Sequence, residues 1–143
     1  MGCVPACLLG IVAAHLLIDR VRGLTYSSFS YTNIKAMAPS TTTNGSISFT
    51  LTNTGKVTAA EVAQLYLSYP ESAGEPPNVL RGFSKVSLGA GESKTVVLPL
   101  TARSVSIWDV VTHDWALVTG LFTARVGASS RDLLLTAPVA VSA

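Results

Sequence analysis

The chain has 143 residues, a suitable length for one domain, and only 13% of them are charged. Because 48% of the residues are hydrophobic and the formal net charge is only +2, the composition excludes an intrinsically disordered chain. The basic residues are scattered along the sequence. They therefore do not predict a nucleic-acid-binding surface, which requires clustered cations.

Cysteine and histidine are rare, and their positions limit the chemistry of the chain. Cys3 and Cys7 both lie near the start, whereas His15 and His113 are far apart in sequence. The body of the chain therefore has neither a disulfide framework nor a cysteine-ligated zinc site. We expect no metal site and no cofactor, and we interpret His113 as a turn residue because no nucleophile signature lies near it.

An uncharged apolar run covers residues 4–18 and ends before Asp19, Arg20 and Arg22. Since a helix needs about 20 apolar residues to cross a bilayer, we expect no membrane span. A secretory signal has an apolar stretch of this size, but no basic residue precedes the run and Pro5 lies inside it. Two interpretations stay open for residues 1–22: a signal-like segment of a secreted protein, or a non-native start. We expect residues 23–143 to form the folded domain.

From Phe29 onward the hydrophobic pattern has a period of two, which is typical of strands. In Ser46–Thr52 the side chains of Ile47, Phe49 and Leu51 alternate with Ser and Thr, which predicts a half-buried antiparallel strand. Asn53–Lys56 has the composition of a turn. Further strands are predicted at about 59–69, 80–88, 94–100, 104–111, 115–118, 122–126 and 133–141. Short strands separated by turns every 8–12 residues predict an all-β antiparallel sandwich.

Six strings in the body occur together in a recognisable order. They are GLTYSSF at 23–29, TNTGKVTAAEVAQLYL at 52–67, LRGFSKV at 80–86, GESK at 91–94, SIWD at 106–109 and VGASSRD at 126–132. In this order and spacing they closely resemble the fibronectin type III-like domain that ends many glycoside hydrolase family 3 enzymes, which include β-glucosidases and β-xylosidases. The resemblance covers about residues 23–142 and implies an immunoglobulin-like sandwich.

The resemblance also implies a longer enzyme, with a catalytic barrel and a second α/β domain upstream that carry the nucleophile and the acid/base residue. Residues 1–22 are too short for either domain, so no catalytic residue is transferred to this chain. We therefore expect a non-catalytic module that stabilises or positions catalytic domains. The alternative is an independent carbohydrate-binding or adhesion module.

The carboxylates of the chain do not predict glycosidase chemistry of its own. Such chemistry needs two carboxyl groups about 5–9.5 Å apart across a sugar site. Asp114-Trp115 resembles the Asp-Trp of the family's nucleophile motif, but it lies in a predicted strand–turn–strand context. We interpret Asp109 and Asp114 as turn residues that close a hairpin, so the chain alone is not expected to be an enzyme.

Some residues are candidates for contacts or modification. Leu24, Tyr26 and Phe29 are predicted to contact the catalytic domains, with core packing as the alternative for Tyr26 and Phe29. Trp108 and Trp115 are expected in the core or at an interdomain contact, with sugar stacking as the alternative. The loop 70–78 is expected to be solvated, although it could reach towards a substrate. Asn44 begins an Asn-Gly-Ser glycosylation sequon in a polar turn.

Overall fold

The computed structural model describes residues 25–40 and 42–142, so the predictions for residues 1–22 and for Leu24 lie outside the described residues. The described part is built from antiparallel strands and confirms the all-β prediction. The strands are β1 (Phe29–Met37), β2 (Gly45–Asn53), β3 (Ala59–Ser68), β4 (Val79–Leu88), β5 (Ser93–Leu100), β6 (Ser106–Asp109), β7 (Asp114–Leu117), β8 (Gly120–Ser129) and β9 (Asp132–Val141). Two short 3-10 helices, Glu71–Ala73 and Ala102–Val105, precede β4 and β6.

Two sheets form the layers of a sandwich. One contains three strands in the order β1-β2-β5, and the other contains four strands in the order β4-β3-β8-β9. The apolar core between them consists mainly of Tyr31, Ile47, Phe49, Leu51, Val96, Leu98 and Leu100 from the first sheet and Leu65, Leu67, Leu88, Phe122, Val126, Val139 and Val141 from the second. The remaining strands, β6 and β7, form a separate hairpin.

The alternation predicted for β2 is confirmed residue by residue. Ile47, Phe49 and Leu51 are fully buried, whereas the Ser and Thr residues between them are half-exposed. Phe49 also stacks on Tyr31 of the neighbouring strand, with ring centroids 5.9 Å apart. Because every second side chain of β2 enters the core, a shift of one residue in its pairing would expose the whole apolar set.

Two segments differ from the sequence-based prediction. The strand predicted at 104–111 is shorter, because the chain first forms the 3-10 helix Ala102–Val105. Thr101 and Ser104 form a reciprocal capping box that fixes this turn, and β6 begins only at Ser106. The bounds of β1 were not predicted, because a bulge between Thr32 and Lys35 breaks the alternation where Asn33 adopts a φ of 55°.

One glycine is required by a close backbone approach. The β8–β9 pairing shifts register at Gly127, within the string VGASSRD. A Cβ atom at this position would lie 1.9 Å from the carbonyl oxygen of Asp132. No side chain larger than hydrogen fits there without moving β9, which explains a glycine within a strand.

The side chain of Asn53, at the end of β2, is fully buried and uses all of its hydrogen-bonding capacity. Its Nδ2 donates to the carbonyl oxygens of Val57 at 2.8 Å and Leu88 at 3.0 Å. Its Oδ1 accepts from the backbone N–H of Gly55 at 2.9 Å and from the hydroxyl of Ser27. One amide therefore joins the segment before β1, the turn after β2 and the end of β4.

We predict that Phe49→Ala lowers the free energy of unfolding by about 3–5 kcal/mol, because it leaves a cavity between the sheets. Urea denaturation followed by tryptophan fluorescence measures the change. The matched control is Val97→Ala on the exposed side of β5, which should change stability by no more than about 0.5 kcal/mol. Similar losses at both positions would contradict the assignment of Phe49 to the core.

We also predict that Asn53→Ala destabilises the domain by about 2–4 kcal/mol, because buried donors and acceptors lose their partners. Asn44→Ala is the matched control, since Asn44 is exposed in the turn before β2. The midpoint of thermal unfolding of each variant gives the comparison. Equal midpoints for the two variants would show that the buried amide does not stabilise the fold.

Candidate functional site: two interaction surfaces

The sandwich has two ends that carry different side chains. The pairing of β2 with β5 runs from Thr52 opposite Ser93 to Gly45 opposite Leu100. We call the end at Thr52 and Ser93 the Asn53 end. The end at Gly45 and Leu100 is the hairpin end, because β6 and β7 follow β5 there. β5 has eight residues, so the two ends are separated by about 25 Å at the rise of an extended strand.

The Asn53 end holds the leading segment, residues 25–28, against the sandwich. The backbone N–H of Thr54 donates to the carbonyl oxygen of Ser28 at 2.8 Å, and Ser27 is held by Asn53. Beside these anchored residues the side chain of Tyr26 is fully exposed. Phe29 begins β1 and packs partly buried against the core. The structure thus leaves Tyr26 available for a contact, whereas Phe29 has part of its surface in the core.

The hairpin end is dominated by exposed apolar side chains. Trp108 and Trp115 lie opposite each other on β6 and β7 and are 49% and 41% exposed. Val110 and Val111 at the tip of the hairpin are exposed as well. Core packing, one of the two locations predicted for the tryptophans, is therefore wrong. The reason is that β6 and β7 form a sheet of their own beside the two layers.

The two indole rings do not form a common flat surface. Their planes are inclined by 70°, with centroids 5.6 Å apart, in an edge-to-face contact. The guanidinium carbon of Arg103 lies 4.4 Å from the centroid of the Trp115 ring. Because the cation already covers one face of Trp115, the geometry disfavours the alternative in which both rings stack on a sugar.

A second arginine reaches the same end through a β-bulge. Leu65 pairs with Gly82 and Tyr66 pairs with Leu80, so Arg81 is the extra residue of β4. Such bulges redirect a side chain out of the regular alternation. The guanidinium carbon of Arg81 lies 5.3 Å from the ring centroid of Tyr69, and its Nη2 donates to the Tyr69 hydroxyl.

Tyr69 connects this arginine to the core. Its hydroxyl donates to the carbonyl oxygen of Ser104 at 2.8 Å, and its ring packs edge-to-face on Phe122, with centroids 4.9 Å apart. Burial raises the pKa of Tyr69, and the charge and hydrogen bond of Arg81 offset this only in part. The phenol therefore stays protonated near neutral pH and keeps its donor for Ser104.

Two adjacent pockets share Arg103. The first, of about 240 Å³, is lined by Leu80, Arg81, Thr101, Arg103 and Ser104. The second, of about 370 Å³, is lined by Ala102, Arg103, Ser106, Trp115 and Leu117. One pocket is thus cationic and its neighbour is mainly apolar, which suits a ligand that presents an acidic group beside an apolar one.

The carboxylates predicted to close the hairpin are engaged with local backbone groups. Asp109 Oδ1 accepts from the N–H of Val111 at 2.8 Å, and Asp114 Oδ1 accepts from the N–H of Trp115 at 2.6 Å. Hydrogen bonds from the Val111 N–H and the Thr112 side chain lower the pKa of Asp109. A general acid for glycoside cleavage needs a raised pKa, so this environment suits a turn carboxylate.

Other predicted features can also be located. His113 lies in the turn between β6 and β7 with a φ of 52°, which confirms it as a turn residue. Asn44 is exposed immediately before β2. Within residues 25–40 and 42–142, no group of three or more His, Cys, Asp or Glu residues could hold a metal ion. No helix in this part of the chain is both long and apolar enough to cross a bilayer.

Comparison with known proteins identifies a matching domain family and relatives of this chain. The family described as "Fibronectin type III-like domain" matches residues 61–130. A probable β-glucosidase D from Aspergillus flavus is 38% identical, in an alignment that covers 85% of this chain and 19% of that protein.

Solved structures give the same result. The β-D-glucoside glucohydrolase from Trichoderma reesei superposes with a TM-score of 0.78 and 34% identity, covering 85% of this chain and 20% of that one. A family 3 β-glucosidase from Bifidobacterium adolescentis has a TM-score of 0.77 and 34% identity, covering 85% of this chain and 18% of that one. The chain spans about a fifth of the length of these relatives. The chain therefore carries a fibronectin type III-like domain that matches part of the glycoside hydrolase family 3 β-glucosidases.

Proposed function

We propose that this domain docks on the catalytic part of a family 3 glycoside hydrolase and stabilises or positions it without taking part in the reaction. The observation that carries the proposal is the exposure of Tyr26 at one end of a well-packed sandwich and of Trp108, Trp115, Val110 and Val111 at the other. Such side chains are typical of surfaces that another protein covers. In the relatives the matching segment is part of a chain about five times longer.

At the Asn53 end, the proposed contact residues are Tyr26 and Phe29, and the sequence adds Leu24, which lies outside the described residues. Tyr26 is the main proposed contact, because its side chain is fully exposed and its neighbour Ser27 is hydrogen-bonded to Asn53. A fixed backbone reduces the entropy lost when the tyrosine is covered. Phe29 contributes through the part of its ring that the core leaves uncovered.

The alternative is an independent module that binds carbohydrate. Its best candidates are the exposed Trp108 and Trp115. Their edge-to-face arrangement and the cation over Trp115 give it less support than docking on a protein partner.

Secretion is part of the proposal. The signal-like residues 4–18 and the exposed sequon at Asn44 support it, because N-linked glycans are attached on the secretory route. Expression in a glycosylating fungal host should then yield a secreted, glycosylated chain. Asn44→Gln should lower the mass of the secreted protein by the mass of the glycan.

We predict that the purified chain does not hydrolyse aryl β-glucosides or aryl β-xylosides above the buffer blank. The physical reason is that Asp109 and Asp114 accept hydrogen bonds from the N–H groups of Val111 and Trp115, and that the pKa of Asp109 is lowered, whereas a general acid needs a raised pKa. Release of nitrophenol measures the activity. Turnover that Asp109→Asn or Asp114→Asn abolishes would contradict the non-catalytic assignment.

The docking itself can be tested in a chimera based on the β-glucosidase D of Aspergillus flavus. In this chimera the present chain replaces the segment that it matches, and the comparison is the same enzyme with that segment deleted. We predict that the chimera retains β-glucosidase activity for longer at elevated temperature, because a docked domain stabilises the folded state to which it binds.

The matched control is the chimera with Phe49→Ala, which weakens the domain without altering its surface. Equal half-lives of inactivation for the chimera and the deletion enzyme would overturn the proposed function.

A further inference from the structure

Two guanidinium groups lie close together at the hairpin end. Arg81 and Arg103 line the same pocket, and within the part of the chain that the structure describes neither forms an ion pair. The charge of Glu75 contributes to the raised pKa of Tyr69, so one acidic side chain of the chain lies near this pocket. The Nε atom of Arg81 is buried without a hydrogen-bond partner. A buried unpaired donor is costly, but this atom has no exposed surface, so the proposed contact concerns the rest of the guanidinium group.

The position of Arg81 is fixed before any partner binds. The β-bulge places it outside the regular alternation, and the ring and hydroxyl of Tyr69 hold its guanidinium. Tyr69 is in turn bound to Ser104 and packed on Phe122. A cation that is held in this way loses little side-chain entropy when it forms an ion pair.

Apolar surface adjoins the cationic pocket. Arg103 separates it from the pocket formed by Trp115 and Leu117, and the exposed Trp108, Val110 and Val111 extend this surface along the hairpin. Aromatic and arginine side chains are enriched in protein interfaces and at their energetic centres. The combination therefore fits a protein surface better than a free anion.

We propose that the hairpin end is a second docking surface, which receives a carboxylate of the catalytic part between Arg81 and Arg103 and an adjacent apolar side chain against Trp115. The inference rests on the proposed function and adds the chemistry of the partner. Charge complementarity selects an acidic surface.

Hydrogen–deuterium exchange of the chimera described above tests whether the hairpin end is covered. In the chimera, amides of β6, β7 and the segment around Arg81 should exchange about tenfold more slowly than in the isolated chain. Protection of the Asn53 end without protection of the hairpin end would overturn this inference and leave the proposed function intact.

Charge removal tests the chemistry. Arg103→Gln should shorten the half-life of the chimera at elevated temperature about tenfold, as expected when one partner of an interfacial charge pair is removed. The double variant Arg81→Gln/Arg103→Gln should shorten the half-life further. Arg103→Lys keeps the positive charge and should shorten it less than Arg103→Gln does. Lys85→Gln, an exposed position on the strand that carries Arg81, is the matched control and should have no effect.

Folding and docking are separated by measuring the unfolding of the isolated chain for each variant. Because Arg81 also contacts Tyr69, Arg103→Gln is the more informative substitution. A shorter half-life of the chimera with unchanged unfolding of the isolated chain supports the inference. Equal effects of Arg103→Gln and Lys85→Gln would overturn it. A chimera no more stable than the deletion enzyme would overturn the proposed function, and this inference with it.

Discussion

The buried amide of Asn53 holds together segments that the two sheets alone would leave independent. It binds the turn that follows β2, the last carbonyl group of β4 and the hydroxyl of Ser27. β2 and β4 belong to different sheets, so the amide also fixes one layer to the other at this end. The leading segment consequently has a defined direction where it joins the sandwich, and Tyr26 is presented from a fixed backbone.

The edges of the two sheets limit how a partner can bind. The edge strands are β1 and β5 in one sheet and β4 and β9 in the other. β5 and β9 contain Pro99 and Pro138, whereas β1 and β4 each contain a bulge. Proline cannot donate a hydrogen bond to an added strand, and a bulge interrupts regular pairing, so none of the four edges favours continuous extension of a sheet by another chain. Side-chain contacts at the two ends of the sandwich are therefore the better available means of docking.

The sequence predicted the sandwich well, because each central strand buries one face and its alternation is regular. The residues Ile47, Phe49 and Leu51 show this most clearly. The separate hairpin was harder to recognise, because a strand in a two-layer sandwich and a strand in an isolated hairpin have the same period. Trp108 and Trp115 were for this reason assigned partly to the core, although both are exposed. Arg81 could not be selected from sequence at all, since its placement depends on a bulge that arises from the pairing of β3 with β4.

Contacts at both ends would have a consequence that one contact does not have. A single patch leaves the domain able to rotate about its point of attachment, whereas two patches separated by a rigid sandwich fix its orientation. The second contact also forms within one molecule, at a high effective concentration, so each patch can be individually weak. A small apolar surface around Tyr26 and a pair of arginines beside Trp115 would then be sufficient together. The packed core between them would act as a rigid spacer of defined length. The burial of one face of each strand would in this way help to fix the orientation of the whole domain.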